Sequence, residues 1–376
     1  MKRIGIILQL LLIAVLSGCW SSSELKDISI VAGVGIDLKG KNQFEVTTQT
    51  VKPAEVKKNK PGAVAVQSST GFTVFEAVRD LIIKTGKKQN WQHISAYVIS
   101  EEAAKTGVMQ RIDFIARDHE PRFRMNLLVS KGKAKDILNI KSKKNPIPSA
   151  AMKATLEEQI SLAKAPQVEL HDFIEKLMEP YQDPYLPIIR KEKEDFEIYG
   201  TAVFKGDRMI GELTPRETRG MLRVLGEVKG GLQVVKFASE HKAKTNYLSI
   251  EIKKSKASIH AKITKNNLQM IIEIKETGFV GDMTQPVKEL NNKKIKEMEQ
   301  AYADTIKKEV EHTVSKIQKE LKSSVFDFAG VINRKDKKFW KEHQQEWETL
   351  YPSLDVIVRV KTRIVRNGLI VNNPGK

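Results

Sequence analysis

The sequence of 376 residues contains a single cysteine, Cys19, and aromatic residues make up only 6% of it. One thiol cannot form an intramolecular disulfide, so the fold does not depend on a disulfide framework. After the first twenty residues the apolar runs are only a few residues long, whereas a membrane-spanning helix needs about 20. With 40% apolar residues the chain can still bury a substantial core, which excludes global disorder.

The chain begins with "MKRIGIILQLLLIAVLSG", in which Lys2 and Arg3 precede a mostly apolar run from Ile4 to Leu16. As a helix this run would rise roughly 20 Å, well short of the ~30 Å hydrocarbon core of a bilayer. A positive start, a short apolar stretch and small residues at its end are typical of a secretory signal. We therefore predict that the chain is exported.

The residues Leu16-Ser17-Gly18-Cys19 resemble the lipobox of bacterial lipoproteins. The resemblance implies cleavage between Gly18 and Cys19, with an S-diacylglycerol and an N-acyl group on Cys19. Two acyl chains at about 0.8 kcal/mol per buried CH₂ total on the order of 20 kcal/mol, enough for a stable anchor. The predicted organisation is a removed signal peptide at 1–18, the lipidated cysteine and a polar spacer at 19–23, and a body outside the bilayer. An ordinary signal peptide with a chance cysteine at its end is the alternative.

Acidic residues are too few to balance the basic ones: 46 aspartates and glutamates face 64 lysines and arginines, a formal charge of +18. Such an excess suggests an anionic neighbour. For an exported lipoprotein, anionic lipid headgroups and acidic wall polymers are better candidates than nucleic acid, which we do not expect as a partner. Many of the lysines lie among glutamates, as in "RKEKEDFE", so a solvated coat of charge is the alternative interpretation.

Motifs of common catalytic and metal sites are missing. The seven histidines have no ligand spacing, and there is no His-Glu-x-x-His, Gly-x-Ser-x-Gly or phosphate-binding loop. Matches to Ser-x-x-Lys occur, but no Ser-Asp-Asn accompanies them, so a penicillin-binding enzyme is disfavoured. We predict no catalytic residue, no metal site and no cofactor apart from the covalent lipid.

The body of the chain predicts an α+β fold with several domains, in which mixed or antiparallel sheets are covered by helices. Strand and helix patterns alternate from "DISIVAGVGID" onwards, and prolines in "PYQDPYLP" suggest a boundary. "TPRETRG" combines Thr214 as N-cap with Pro215 and Glu217, which predicts a helix start with a capping box. The predicted domains are an α/β domain at 24–190 and an α+β region at 197–372, in which about 197–230 and 231–372 could be subdomains.

The strongest periodicity lies near the carboxyl end and predicts one long amphipathic helix. Its apolar positions step by three or four residues: Ile295, Met298, Tyr302, Ile306, Val310, Val314, Ile317 and Leu321. Such a stripe usually packs on the back of a sheet, and a binding site for a partner helix is the rarer alternative. The final pattern, "LDVIVRVKTRI", alternates as a strand does.

An ordered set of segments resembles the C-subunit lipoproteins of bacterial spore germinant receptors, the Ger(x)C family of GerAC-, GerBC- and GerKC-like proteins. The most specific segment is "GTAVFKGDRMIGELTPRETRG", residues 200–220. The other segments are Cys19-Trp20 with Glu24-Leu25, "VAGVGID", "TVFEAVRDL", "HISAYVISEEAAKTG", Arg117-Asp118, Asp327 with Gly330, Phe339-Trp340 and Trp347. One departure is "DFAGVI", where the family pattern is richer in glycine.

The resemblance implies a role that the spacing of residues does not reveal. Family members lie on the outer face of the spore inner membrane of Gram-positive spore formers, with two integral-membrane partners, the A and B subunits. The complex senses nutrients and triggers germination, and the B subunit is the better candidate for binding the germinant. The C subunit has no known enzymatic activity, and its fold is a mixed α/β assembly of three domains. The alternatives are an exported lipoprotein that binds a solute or an exported enzyme that acts on wall polymer.

Overall fold

The computed structural model describes residues 28–40, 42–57, 63–118, 120–141, 145–237, 246–264, 267–285 and 291–365. Within these ranges the chain forms a larger sheet and a smaller sheet, with helices packed against both.

The larger sheet is mixed, with parallel strands in its middle and antiparallel strands at its edges. In the described residues its strands are β1 (Ile28–Lys39), β2 (Gln43–Val51), β3 (Val64–Gly71), β4 (Lys88–Asn90), β5 (Ala96–Ser100), β6 (Asn126–Lys131), β7 (Tyr185–Glu192), β8 (Asp195–Lys205) and β9 (Arg208–Leu213). Their order is β3-β2-β1-β5-β6-β7-β8-β9, and β4 pairs with the start of β1. Strands β1, β5, β6 and β7 run parallel, which explains why "AYVIS" and "NLLVS" are continuous buried runs.

Helices cover both faces of this sheet because its parallel strands are buried on both sides. The helices are α1 (Pro53–Val56), α2 (Val74–Thr85), α3 (Glu101–Lys105), α4 (Met109–Arg117), α5 (Ala134–Leu138), α6 (Pro148–Gln159) and α7 (Leu170–Met178). Alternate residues of β5 point to opposite faces, as the period of a strand requires. Tyr97 and Ile99 join the core that contains Leu81 of α2, whereas Ala96 and Val98 join a second core beneath α5 and α6.

The smaller sheet consists, in the described residues, of β10 (Leu232–Phe237), β11 (Asn246–Thr264), β12 (Asn267–Met283) and β13 (Asp355–Ile364), in that order. The first three strands are antiparallel and β13 is parallel to β12. The helices of this part are α8 (Pro215–Leu225), α9 (Asn292–Ser315), α10 (Phe328–Lys335), α11 (Lys337–His343) and α12 (Trp347–Leu350).

The predicted apolar stripe is confirmed as the buried face of α9. Five of its side chains are buried against the smaller sheet and α8: Met298, Tyr302, Ile306, Val310 and Val314. The helix continues as a π-helical segment, Lys316–Glu320, which the periodicity does not predict. This wider turn directs Gln318 inward, where its Nε2 donates to the carbonyls of Tyr351 and Leu354, both at 2.8 Å. Burying the side-chain amide therefore fixes the start of β13 against the end of the long helix.

The predicted α+β class, with mixed sheets, helical covering and one long helix, is confirmed. The predicted division between residues 190 and 197 stays a prediction. At this point the larger sheet is continuous, because β7 and β8 form an antiparallel hairpin in which Arg190 pairs with Glu197.

Candidate functional site at the junction of the two sheets

The one residue with a predicted chemical modification, Cys19, lies outside the described residues, so its lipidation stays a prediction. The described chain begins at Ile28, nine residues later. Within the described ranges no three His, Cys, Asp or Glu side chains form a group that could hold a metal ion. In the same ranges no helix is both long enough and apolar enough to cross a membrane.

Helix α8 begins as its sequence predicts. The Thr214 Oγ1 accepts a hydrogen bond from the Glu217 N–H at 3.3 Å, and the Glu217 carboxylate accepts one from the Thr214 N–H at 2.8 Å. Pro215 occupies the first turn, where its missing N–H costs nothing. Lys316 of the π-helical segment donates to the same carboxylate at 2.8 Å, so the cap also connects α8 to the end of α9. Burial alone would raise the pKa of Glu217, but the bonds from Lys316 and Thr214 hold it below its usual value.

Helix α8 connects the two sheets. On one side, Thr218 shares a hydrogen bond of 2.8 Å with Thr201 of β8 in the larger sheet. On the other side, α8 crosses α9 at Gly220, where a Cβ would collide with the Thr313 Oγ1 and lie 3.2 Å from the Glu309 carbonyl oxygen. Only glycine allows the two helices to approach this closely.

A fully buried arginine lies beyond this crossing. Arg223 donates from Nε and Nη2 to both oxygens of Glu276 on β12, at 2.9 and 3.0 Å. Its Nη1 donates to Glu309 of α9 at 2.7 Å, and its Nη2 also donates to Gln233 of β10 at 3.0 Å. One guanidinium thus binds two strands of the smaller sheet and the long helix. Tyr302 donates to Glu276 at 2.6 Å and completes its coordination.

Glu309 also binds a second arginine, which lies one turn earlier in α8. Arg219 donates to its two carboxylate oxygens from Nε and Nη2, at 2.9 and 2.8 Å, and Arg216 adds a contact of 3.3 Å at the surface. Burial alone would raise the pKa of Glu309, but the Arg219 hydrogen bonds and the Arg223 charge hold it below its usual value. Burial and the neighbouring Glu276 carboxylate raise the pKa of Tyr302, so its hydroxyl remains a donor.

The polar side chains of this arrangement are already bonded to one another. Both carboxylates accept from cationic donors, and the Tyr302 and Gln233 side chains are engaged as well. Such a cluster holds elements in place and does not offer a carboxylate as a proton acceptor for a ligand. We call it the junction cluster: Gln233, Arg219, Arg223, Glu276, Tyr302 and Glu309.

Sequence reasoning recognised the start of α8 but missed the junction cluster. A signal was present: Arg219 and Arg223 are four residues apart, and Glu309 follows Tyr302 by seven residues, which places it on the apolar face of α9. A charged residue inside an apolar stripe requires a buried partner. That the arginines of α8 are the partners of Glu309, and that Glu276 of β12 joins them, could not be known without the fold.

Replacing Gly220 by alanine should destabilise the protein by about 1–3 kcal/mol, because the added methyl group overpacks the helix crossing. In an unconstrained helix the same change would stabilise by up to about 1 kcal/mol, so the sign is diagnostic. Urea unfolding of the two proteins measures the difference. The matched second variant, Gly220→Ala with Thr313→Ala, should recover part of the lost stability. If Gly220→Ala alone were as stable as wild type or more stable, the close approach of the two helices would be contradicted.

The departure at "DFAGVI" has a local explanation. Asp327 adopts a left-handed conformation and caps α10, since its Oδ1 accepts from the Gly330 N–H at 3.0 Å. A Cβ at residue 330 would collide with that carboxylate. Arg334 donates to the other oxygen at 3.0 Å. The single glycine is therefore placed where the cap needs it.

The two tryptophans of the last family segment pack against each other, although the helix that carries them is interrupted. A 3₁₀ turn at 344–346 separates α11 from α12, yet Trp340 and Trp347 meet edge to face with ring centroids 5.2 Å apart. Tyr181 and Tyr351 extend the contact at 5.0 and 5.4 Å. Both indoles are buried, so they belong to the core.

Comparisons with known families identify the class to which this two-sheet fold belongs. Residues 21–191 match the model of the spore germination protein N-terminal domain, and residues 199–368 match the model described as spore germination B3/GerAC like, C-terminal. Together the two models cover almost the whole chain, including α8 and every member of the junction cluster. The chain belongs to the GerAC-like family of spore germination proteins, also written Ger(x)C.

Individual relatives agree with this membership over nearly their full lengths. A putative spore germination protein YfkR of Bacillus subtilis is 28% identical over 97% of this chain and 96% of its own. Spore germination protein KC of the same organism is 25% identical, covering 98% and 97% of the two chains. The crystal structure of the GerBC protein has the same fold, with a TM-score of 0.57 over 89% of this chain and 97% of that one, at 18% identity.

Proposed function

We propose that this chain is a lipid-anchored, non-catalytic subunit of a nutrient germinant receptor, required for nutrient-triggered spore germination. In this role it corresponds to the C subunit and assembles with integral-membrane A and B subunits on the outer face of the spore inner membrane. The observation that carries the proposal is family membership over the whole chain, together with Leu16-Ser17-Gly18-Cys19 after an apolar leader. Family membership supports the germination role, and the lipobox supports the anchor.

The described structure agrees with a protein that acts through contact. The most heavily charged buried group, the junction cluster, is internally neutralised and fixes α8 and α9 to the smaller sheet, while Thr218 of α8 bonds to Thr201 of the larger sheet. A rigid connection of this kind suits a subunit that presents a constant surface to its partners. It does not depend on a substrate or a cofactor.

Replacing Cys19 by alanine should remove the protein from membranes and weaken germination triggered by nutrients. The physical reason is the loss of an anchor worth on the order of 20 kcal/mol of acyl-chain burial. Fractionation of spore lysates and the loss of optical density after nutrient addition measure the two effects. Ser22→Ala, three residues further along the spacer, is the matched control and should leave both unchanged. Normal membrane retention together with normal germination in the Cys19→Ala spores would refute the proposal.

A further inference from the structure

The strand that follows the predicted anchor determines which part of the protein lies near the membrane. Strand β1 begins at Ile28, nine residues after Cys19. Even a fully extended segment of this length spans no more than about 30 Å. The other end of β1, at Lys39, is a further ~36 Å away along the strand. The anchor therefore restrains one end of the larger sheet much more closely than the other.

Several exposed basic residues converge on that end. Ile28 pairs with Lys88 of β4, which directly follows the last turn of α2. The end of β2 reaches the same edge, because Val31 pairs with Thr50 and the next turn carries Lys52. We define the entry surface by its exposed members: Lys52, Lys57, Ile83, Lys84, Lys87 and Lys88.

The entry surface carries more positive than negative charge. Glu120 pairs with Lys88 at 3.0 Å, Asp118 lies beside that pair, and Glu55 of α1 is half-buried. Lys84 donates to the Ser68 carbonyl oxygen at 2.6 Å, a bond that leaves its positive charge in place. Set against five lysines, these three carboxylates leave a net positive surface. A cationic surface held beside a bilayer attracts anionic headgroups, and each lysine near such a surface multiplies the population in contact by about fivefold.

An apolar side chain lies among these lysines. Ile83 is 82% exposed in the last turn of α2, the most exposed of the large apolar side chains in the described chain. Its neighbours along the helix, Leu81 and Ile82, are buried and half-buried, so Ile83 is not needed for the core. An isoleucine flanked by lysines has the composition of an interfacial contact, in which the apolar group enters the headgroup boundary and the cations remain in water.

We propose that the entry surface binds the anionic surface of the bilayer and orients the body of the protein on it. This inference rests on the proposed function, because it requires the lipid on Cys19. The orientation places the Lys39 end of the larger sheet away from the membrane. A lipid surface is favoured over a protein partner because tether length, net charge and the exposed isoleucine all point to the nearest bilayer.

The test places a spin label at residue 83 of the full-length protein, expressed in its host and purified with its lipid. Acylation of Cys19 leaves no free thiol, so wild type should take no label and Ile83→Cys should take one. In vesicles of phosphatidylcholine and phosphatidylglycerol, the label at 83 should be more accessible to oxygen than to an aqueous nickel complex. A label at Lys39→Cys should show the opposite preference. Labelling of wild type would contradict the anchor and therefore the proposed function.

Charge reversal separates the surface from the tether. In the spin-labelled Ile83→Cys protein, Lys57→Glu with Lys87→Glu should reduce the membrane-contacting population at least about tenfold. The control variant, Lys39→Glu with Lys133→Glu, changes the net charge by the same amount at the other end of the larger sheet and should have no effect. Lys133 lies near that end because the next residue, Ala134, donates its N–H to Asp37 of β1. If wild type takes no label but the labels at 83 and 39 are equally accessible to the aqueous nickel complex, the proposal is overturned while the anchor stands. Protection of residue 83 from both probes would indicate a protein contact and would overturn it too.

Discussion

Replacing Arg223 by methionine should lower the free energy of unfolding by about 3–5 kcal/mol at neutral pH, the range expected when one partner of a buried ion pair is removed. Methionine fills much of the space of the arginine stem but leaves Glu276 without its bidentate partner. Glu309 keeps Arg219, so the loss should be concentrated on β12. Urea unfolding followed by circular dichroism measures the difference between wild type and variant.

The control for this prediction uses an arginine that contacts the same carboxylate from the surface. Arg216 lies 3.3 Å from Glu309 and its side chain is 69% exposed, so Arg216→Met should cost little, as exposed ion pairs usually do. A second control, Arg223→Met with Glu276→Leu, removes both charges and should regain part of the stability. Similar losses for Arg216→Met and Arg223→Met would contradict the role assigned to burial.

Acid should act differently on wild type and the Arg223→Met protein. The folded-state pKa of Glu309 in wild type lies below its ordinary value, so its contribution is complete above the unfolded value of about 4.3 and is lost as pH falls through the folded pKa. In the variant Glu309 lacks the Arg223 charge, which is one of the causes that lower its pKa, so less stability is lost when Glu309 is protonated. The difference in free energy of unfolding between wild type and variant should therefore become smaller as the pH falls. A loss of packing alone would keep this difference constant.

The parts of the fold that were predictable are those that local physics determines. The capping box of Thr214 and Glu217 involves residues three apart, and the stripe of α9 repeats with the helical period, so both can be read along the chain. The hairpin of β8 and β9 is equally local, since Lys205 pairs with Arg208 across the Gly206-Asp207 turn. These elements appear as expected because the interactions that specify them are between sequence neighbours.

The junction cluster could not be predicted, because its members come from four elements distant in sequence. Arg223 and Glu276 are 53 residues apart, and Arg223 and Glu309 are 86 apart. A pattern of single residues indicates that each needs a partner but does not say which one. Similarly, the π-helical segment after α9 depends on hydrogen bonds from Gln318 to carbonyls beyond α12, and a periodic pattern within one helix cannot indicate such a contact.

Replacing Trp347 by alanine should destabilise the protein by about 3–5 kcal/mol, the usual cost of removing a large aromatic side chain from a core. Trp347 is 1% exposed and contacts Trp340 and Tyr351, so the substitution leaves a cavity between α11 and the turn that leads into β13. These contacts hold the region where the chain returns to the smaller sheet. Thermal unfolding monitored by near-ultraviolet circular dichroism measures the loss, because the signal reports on packed aromatic rings.

A conservative variant distinguishes ring packing from hydrogen bonding at this position. The Trp347 Nε1–H is buried without a hydrogen-bond partner, so its burial costs desolvation energy that no hydrogen bond offsets. Trp347→Phe removes that unpaired donor while keeping an aromatic ring against Trp340. We therefore expect it to cost less than half as much as Trp347→Ala. If phenylalanine were as damaging as alanine, the indole nitrogen would have to bind a group that its surroundings do not offer, and packing would not be what tryptophan contributes there.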